Sequence, residues 1–296
     1  MASDPGSTVP RRQLGRFLRQ LREEAQITVK LAAEELEWSA PKIWRIESGA
    51  TSMRALDVEA MCRVYGAPAD VTEALKGLAR ETKAKGWWHS YGEAIPAWFE
   101  LYVGLEATAS RLRWYEPELV PGLLQTEKYT AEVIRVHFPD ISEDTVEQRV
   151  ATRVERQAIL TRTRPAPPIL DAVINEAALR RPISDRAAMA DQLNHINKVS
   201  EQPNVSVRVL SLSAGLHRAA MTGGMFIILD FTGSGEARNA EPSTVYSGGL
   251  TGSLYLDKPH EVAAYNKVWS SVVSSCLDQR QSRKLIAAIA KEYALP

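Results

Sequence analysis

Lys42 and Arg45 stand three residues apart in Ser39-Ala-Pro-Lys-Ile-Trp-Arg-Ile-Glu-Ser-Gly49, and a three-residue step on a helix is one face. Both side chains are long enough to donate hydrogen bonds to guanine edges, while Ala40 is small enough to meet a thymine methyl. Trp44 has two readings: it stacks on sugar–phosphate, or it turns into a core. Ser39 has the chemistry of an N-cap, and Pro41 falls in the first turn, where its missing N–H costs little. Ile43 and Ile46 share the inward face, and Gly49 suits the left-handed residue that ends a helix. The chemistry on offer is hydrogen bonding to a DNA major groove, entered by the N-terminal end of this helix.

Other chemistry is sparse. The histidines His89, His137, His195, His217 and His260 form no His-x-His or His-x-x-x-His pair, so no compact metal site is expected. There is no Gly-x-Ser-x-Gly elbow and no phosphate-binding glycine loop; Gly233-Ser234-Gly235 reads as a hairpin turn. Cys62 and Cys276 lack metal-ligand spacing and read as free thiols of a reducing compartment, with Cys276 a small core residue in an apolar helix. The expectation is no cofactor, no metal and no enzymatic activity. His217, between Gly215 and Gly223-Gly224, reads either as a contact for an effector or partner or as a solvated loop residue. Arg153 and Arg156 have a similar choice, an acidic partner or internal ion pairs with Glu155 and Glu147.

The elements that position these residues follow from periodicity. Leu14, Phe17, Leu18 and Leu21 mark a first helix, roughly 12–24. Thr28 is a good N-cap for a second, with Leu31, Ala32 and Leu36 on one side, and small Ala32 lets the third helix cross closely. A fourth helix starts near Met53 and carries Leu56, Val58, Met61, Cys62 and Val64; a fifth spans about Ala69–Glu81. Residues 11–85 are therefore expected to be an all-α domain of five short helices, after a flexible arm at 1–10. Thr28 and Lys30 are placed to touch phosphate, as is the basic cluster Arg11, Arg12, Arg16, Arg19 and Arg22.

Residues 86–99 hold Trp87, Trp88, Tyr91, Trp98 and Phe99, too many aromatics for a free linker. They read as a connector clamped on the second domain, or as part of a pocket or dimer seam. From 100 to 296 the pattern is mixed. A helix is expected over Leu101–Leu112, then helices at Glu127–His137, Ser142 to about Thr163 and Glu176–Arg180, and one opened by Ser184. Two more lie at about Glu261–Leu277 and Gln279–Tyr293. Strands are expected at Ile169–Ile174, around Val205, Val207 and Val209, at Met225–Phe231, at Thr244–Tyr246 and at Ser253–Leu256. This is an α/β domain with several helices and a small antiparallel sheet.

The length of 296 residues, with 45% hydrophobic and 24% charged residues, fits two folded domains. The formal net charge of zero neither supports nor excludes nucleic acid, because local distribution decides. No apolar run is long enough to span a bilayer and no leader segment is visible, so a cytoplasmic protein without membrane contact is expected.

Leu18-Arg19-Gln20-Leu21-Arg22, Leu31-Ala32 and Lys42-Ile43-Trp44-Arg45-Ile46-Glu47-Ser48-Gly49 resemble the Cro/repressor-like (XRE) helix-turn-helix family. The resemblance implies a homodimer on double-stranded operator DNA, with Ala40, Pro41, Lys42, Trp44 and Arg45 facing the duplex. It also implies a partly buried ion pair between Glu47 and Arg22 or Arg19. Where the family often has Gln near the start of helix two, this chain has Val29. From about 100 onward, Tyr115-Glu116-Pro117-Glu118-Leu119-Val120-Pro121-Gly122-Leu123-Leu124-Gln125-Thr126, Arg153-Val154-Glu155-Arg156-Gln157 and Asn175-Glu176-Ala177-Ala178-Leu179-Arg180 resemble the DUF5753 domain. Relatives carry Val-Glu where Ser247-Gly248 stands here. Together the halves resemble Scr1-type, toxin–antitoxin-like transcriptional regulators of Streptomyces, which implies a small DUF397-type partner protein. The sequence leaves three readings: a repressor or autoregulator controlled through its second domain by a partner or ligand, an antitoxin-like protein-binding module, and an enzyme with an appended DNA-binding domain.

Overall fold

The computed structural model describes residues 9–81, 101–231, 242–249 and 252–294. Of the expected 1–10 arm, Val9 and Pro10 open the first helix; the rest of the arm and the 86–99 connector lie outside the described residues. By contacts the chain forms two units, Met1–Thr108 with Gly249–Pro259, and Ala109–Gly248 with His260–Pro296. The 249–259 segment thus groups with the N-terminal unit, which a division into linear domains does not capture.

The first unit holds α1 (Val9–Glu24), α2 (Val29–Glu35), α3 (Ala40–Glu47), α4 (Ala55–Tyr65), α5 (Ala69–Glu81) and α6 (Leu101–Thr108). Leu14, Leu18, Ala32, Ile43, Val58, Met61 and Leu75 are fully buried and form its core. α1 crosses α3 backbone to backbone. A Cβ on Gly15 would stand 2.5 Å from the carbonyl oxygen of Ile46, so only glycine fits there. Gly49 has φ +70° and closes α3 in the left-handed conformation.

Arg22 and Glu47 join α1 to the end of α3. Arg22 Nε donates to Glu47 Oε1 at 2.7 Å and Nη2 to Oε2 at 2.9 Å. Arg22 Nη1 donates to the Ile27 carbonyl at 2.9 Å, and the Tyr65 hydroxyl reaches Glu47 Oε1 at 3.5 Å. Both charged residues are buried, at 8% exposure each. Arg19 instead lies exposed, paired with Glu23 at 2.8 Å.

Three expectations change here. The basic cluster on α1 is not a phosphate-binding stripe. Arg11 donates to the Gly49 carbonyl at 2.7 Å, Arg12 is buried against Asp257 at 3.3 Å, and Arg16 donates to Thr108 Oγ1 at 2.7 Å. Burial lowers the Arg12 and Arg16 guanidinium pKa values to about 10. Leu31 and Leu56 are exposed at 43% and 70%; on α2 the buried positions are Ala32 and Ala33.

In the second unit, β1 (Arg111–Glu116) pairs parallel with β2 (Ile169–Asn175), and β2 pairs parallel with β3 (Val205–Leu210). On its other side β1 runs antiparallel to β4 (Phe226–Asp230), and β4 antiparallel to β5 (Thr244–Gly249). Within this unit the strand order is β3-β2-β1-β4-β5. The sheet is therefore mixed, with parallel and antiparallel pairs, not small and antiparallel. The helix expected over Leu101–Leu112 stops at Thr108, because Leu112 belongs to the central strand although it continues the helical spacing of Leu101 and Leu105. α7 (Glu127–His137) and α8 (Glu143–Gln157) lie between β1 and β2; α9 (Glu176–Arg180) and α10 (Arg186–Val199) lie between β2 and β3. Crossovers of this length are what parallel pairing requires. α11 (Pro259–Ser275) and α12 (Gln279–Ala294) close the chain. α10 and α12 pack together, and α12 also packs on β3, whose Val205, Val207 and Val209 are buried.

Glu116 ends β1 inside this unit, 6% exposed. Burial lifts its carboxyl from the ordinary 4.5 to about 7, against the pull of hydrogen bonds from Trp114 Nε1 and the Glu118 and Leu119 amides. Between pH 4.5 and 7 the folded state then binds more protons here than the unfolded chain. Its contribution to stability falls as pH rises through that window and is constant above it.

Two outcomes follow from these buried charges. Glu47→Ala leaves the buried Arg22 guanidinium without its two-bond carboxylate partner, and should cost about 3–5 kcal/mol of stability in urea titration; a loss under about 0.5 kcal/mol would place the pair among weak surface contacts. Glu116→Gln removes a titrating group and should gain on wild type by about 1–3 kcal/mol between pH 5 and pH 8, at about 1.4 kcal/mol per pKa unit. A wild-type-minus-variant difference that is flat with pH would refute this.

Candidate nucleic-acid interface

α2 begins at Thr28, whose Oγ1 accepts a hydrogen bond from the Leu31 amide at 3.1 Å. Ser39 occupies the N-cap of α3 with extended backbone, φ −81° and ψ 144°, but its side chain makes no capping bond. The serine has the chemistry of a cap but does not use it; the first turn of α3 instead holds Pro41, whose fixed φ already suits that turn. Ile43 and Ile46 are buried, which sets the rotation of α3. The rotation leaves Ala40, Pro41, Trp44 and Arg45 exposed, together with Thr28, Lys30 and Ser39.

Trp44 is 55% exposed, so of its two readings the core one does not hold. Lys42 is half-buried, with its ammonium 3.2 Å from the centroid of the Trp38 ring. This cation–π contact orients the lysine along the helix surface. The side chain of Lys30 is 88% exposed and 3.9 Å from Glu34, a pairing too loose and wet to neutralise it.

Two residues of this surface are absent from the sequence reading. Trp38 looks like a turn residue but holds Lys42. Arg54, at the N-cap of α4, is exposed and pairs with Asp57 at 3.2 Å; the i, i+3 spacing of Arg54 and Asp57 is the signal that would have found it. Burial pushes the Asp57 carboxyl up, but the hydrogen bonds and charge of Arg54, and a smaller pull from Lys42, bring it below its ordinary value.

The remaining candidates belong to the second unit. Arg153, half-buried on α8, donates to Gln125 Oε1 at 3.1 Å. Arg156 lies half-buried near the end of the same helix. His217 precedes a 3₁₀ turn over Arg218–Thr222, with its ring edge-on to Tyr115 at 6.2 Å. Its Nδ1 is buried without a hydrogen-bond partner. Cys276 follows α11 instead of lying inside a helix, and is half-buried; burial raises its thiol to about 12. Among the described residues no three His, Cys, Asp or Glu side chains come together as metal ligands, and no helix is long and apolar enough to cross a membrane.

Stability should separate the two N-caps. Thr28→Ala loses a formed capping bond and should cost about 1 kcal/mol. Ser39→Ala loses none, and its thermal midpoint should stay within the shift of about 0.5 kcal/mol typical of a surface substitution. Equal losses at both positions would contradict the assigned geometry.

A family model described as a helix-turn-helix domain matches residues 13–75, the stretch that builds α1–α4 and most of α5. The match supports a DNA-binding regulator. A second model, described as a domain of unknown function (DUF5753), matches residues 99–288. No curated protein and no solved structure matches the chain. More than half of the 296 residues fall within the second match, and the chain belongs to the DUF5753 family, with a helix-turn-helix domain at its N-terminal side.

Proposed function

We propose that the protein is a sequence-specific transcriptional regulator that binds operator DNA as a homodimer. The observation that carries this is α3 itself: a helix pinned by buried groups on one face that presents Lys42, Trp44 and Arg45 on the other. Lys42 and Arg45 read base edges, Ala40 and Trp44 make apolar contacts, and Thr28, Lys30 and Ser39 hold phosphates. Two copies of α3 in successive major grooves, about 34 Å apart, read a palindrome. The second unit regulates: a small DUF397-type partner protein or a ligand that favours one arrangement shifts the population between binding and non-binding forms. In cells the protein is cytoplasmic and works at the nucleoid.

The protein is read as non-enzymatic. An activated nucleophile needs an adjacent base, and the Cys276 thiol stays protonated at neutral pH. His217 stands in an edge-to-face contact with the Tyr115 ring.

Selection of sites from random duplex DNA with the full chain should recover a palindrome. Arg45→Ala and Lys42→Ala should then each weaken that site by about 1–3 kcal/mol and relax the base preference at one position. Lys30→Ala should weaken all sequences alike and lower the salt slope by about one. Recovery of no site, or base preferences unmoved by Arg45→Ala and Lys42→Ala, would sink the reading.

A further inference from the structure

α7 and α8 fold back on each other through a short turn, with Arg135 near the end of α7 bound to Glu143 at the start of α8 at 2.7 Å. Between them runs an open groove of about 630 Å³. Its floor is apolar, from Ala131 of α7 and Val150, Ala151 and Val154 of α8. Its rims are charged with opposite signs: Lys128 and Arg135 stand on α7, Glu147 and Glu155 on α8. Because the helices run antiparallel, Lys128 and Glu155 lie toward the end of the groove far from the turn, and Arg135 and Glu147 toward the end near it, each pair within about one helical turn when counted from the turn.

We propose that this groove is the self-association surface of the protein and that its occupant is a second copy of the same groove. The charge pattern selects the geometry. A two-fold axis running along the helices sets α7 of one copy over α8 of the other at the same level. Lys128 then meets the partner subunit's Glu155, and Arg135 meets the partner subunit's Glu147. Each contact occurs twice, and the apolar floors close on each other. A two-fold axis across the helices would instead set Lys128 against the partner subunit's Arg135, like charge on like. Isologous interfaces are self-complementary in this way, and like-charge contacts exclude the wrong register. Lys128 is 4.0 Å from Asp185, a loose and exposed pair of the kind that is weak; Arg135 is held by both carboxylate oxygens of Glu143, so the contact of Lys128 with the partner subunit's Glu155 carries the selectivity. Glu127, the acid on the α7 rim, sits in the first helical turn, where the helix dipole favours it.

The inference rests on the dimeric reading above, and its test uses the full chain without DNA. Sedimentation equilibrium should show a dimer for the wild type. Lys128→Glu and Glu155→Lys should each weaken dimerisation by about tenfold or more, while circular dichroism and thermal midpoints of these exposed-site variants stay close to wild type. Mixing the two variants should restore a dimer. In the mixed pair the introduced Glu faces the introduced Lys, and the untouched Lys128 faces the untouched Glu155. An ion pair within one chain cannot be restored by mixing. A wild type that sediments as a monomer would overturn the proposal, as would single variants that remain dimers or a mixture that stays monomeric. A monomer that still binds a selected DNA site would overturn this surface and leave the DNA-binding reading intact.

Discussion

Two opposite charges taken out of water must meet with good geometry or each carries a cost of several kcal/mol. Arg22 and Glu47 are taken out of water together, and much of the first unit is arranged so that they meet. The guanidinium arrives from the last turn of α1 and the carboxylate from the last residue of α3. The remaining Arg22 donor closes on the Ile27 carbonyl in the turn that leads to α2. One contact therefore sets the α1–α3 distance and the path of the intervening chain. Gly15 makes it possible, since any larger residue would lift α1 off the carbonyls of Ile46 and Glu47.

With α3 held at that end, its outward face becomes a consequence. Ile43 and Ile46 bury, so Trp44 and Arg45 cannot, and Lys42 lies at the border against Trp38. The face is rigid: the backbone under its exposed side chains is anchored by the core and by the ion pair. The arginines of α1, the most conspicuous basic cluster in the sequence, are largely spent on this anchoring. Arg11 and Arg12 hold the Gly49 carbonyl and Asp257.

The second unit follows a different constraint. A parallel strand pair needs a long return path, and α7–α8 and α9–α10 supply two of them. These helices cannot all be covered by one sheet. The α7–α8 pair keeps a partly apolar groove toward solvent, rimmed by opposite charges, whereas α10 packs on α12, and α12 on β3.

Local pattern was enough for much of this. The cap at Thr28, the limits of α5 and α7, the left-handed Gly49 and the outward trio Lys42, Trp44 and Arg45 all depend on spacing within one or two turns, which a sequence displays directly. What depends on distant residues was not legible. Leu112 keeps helical step with Leu105, yet β2 and β4 on either side make it a central strand residue. Ser39 is a capping residue by type, yet in the folded chain its hydroxyl makes no such bond. Arg12 looks like surface charge, yet Asp257 lies 245 positions away in sequence and in contact with it. Sequence by itself determined where the third helix lies and which of its side chains stay out of the core, because periodicity and capping act locally. Tertiary structure alone decided which charges are buried and which strands are parallel, because desolvation and strand pairing are set by neighbours that the chain brings together only on folding.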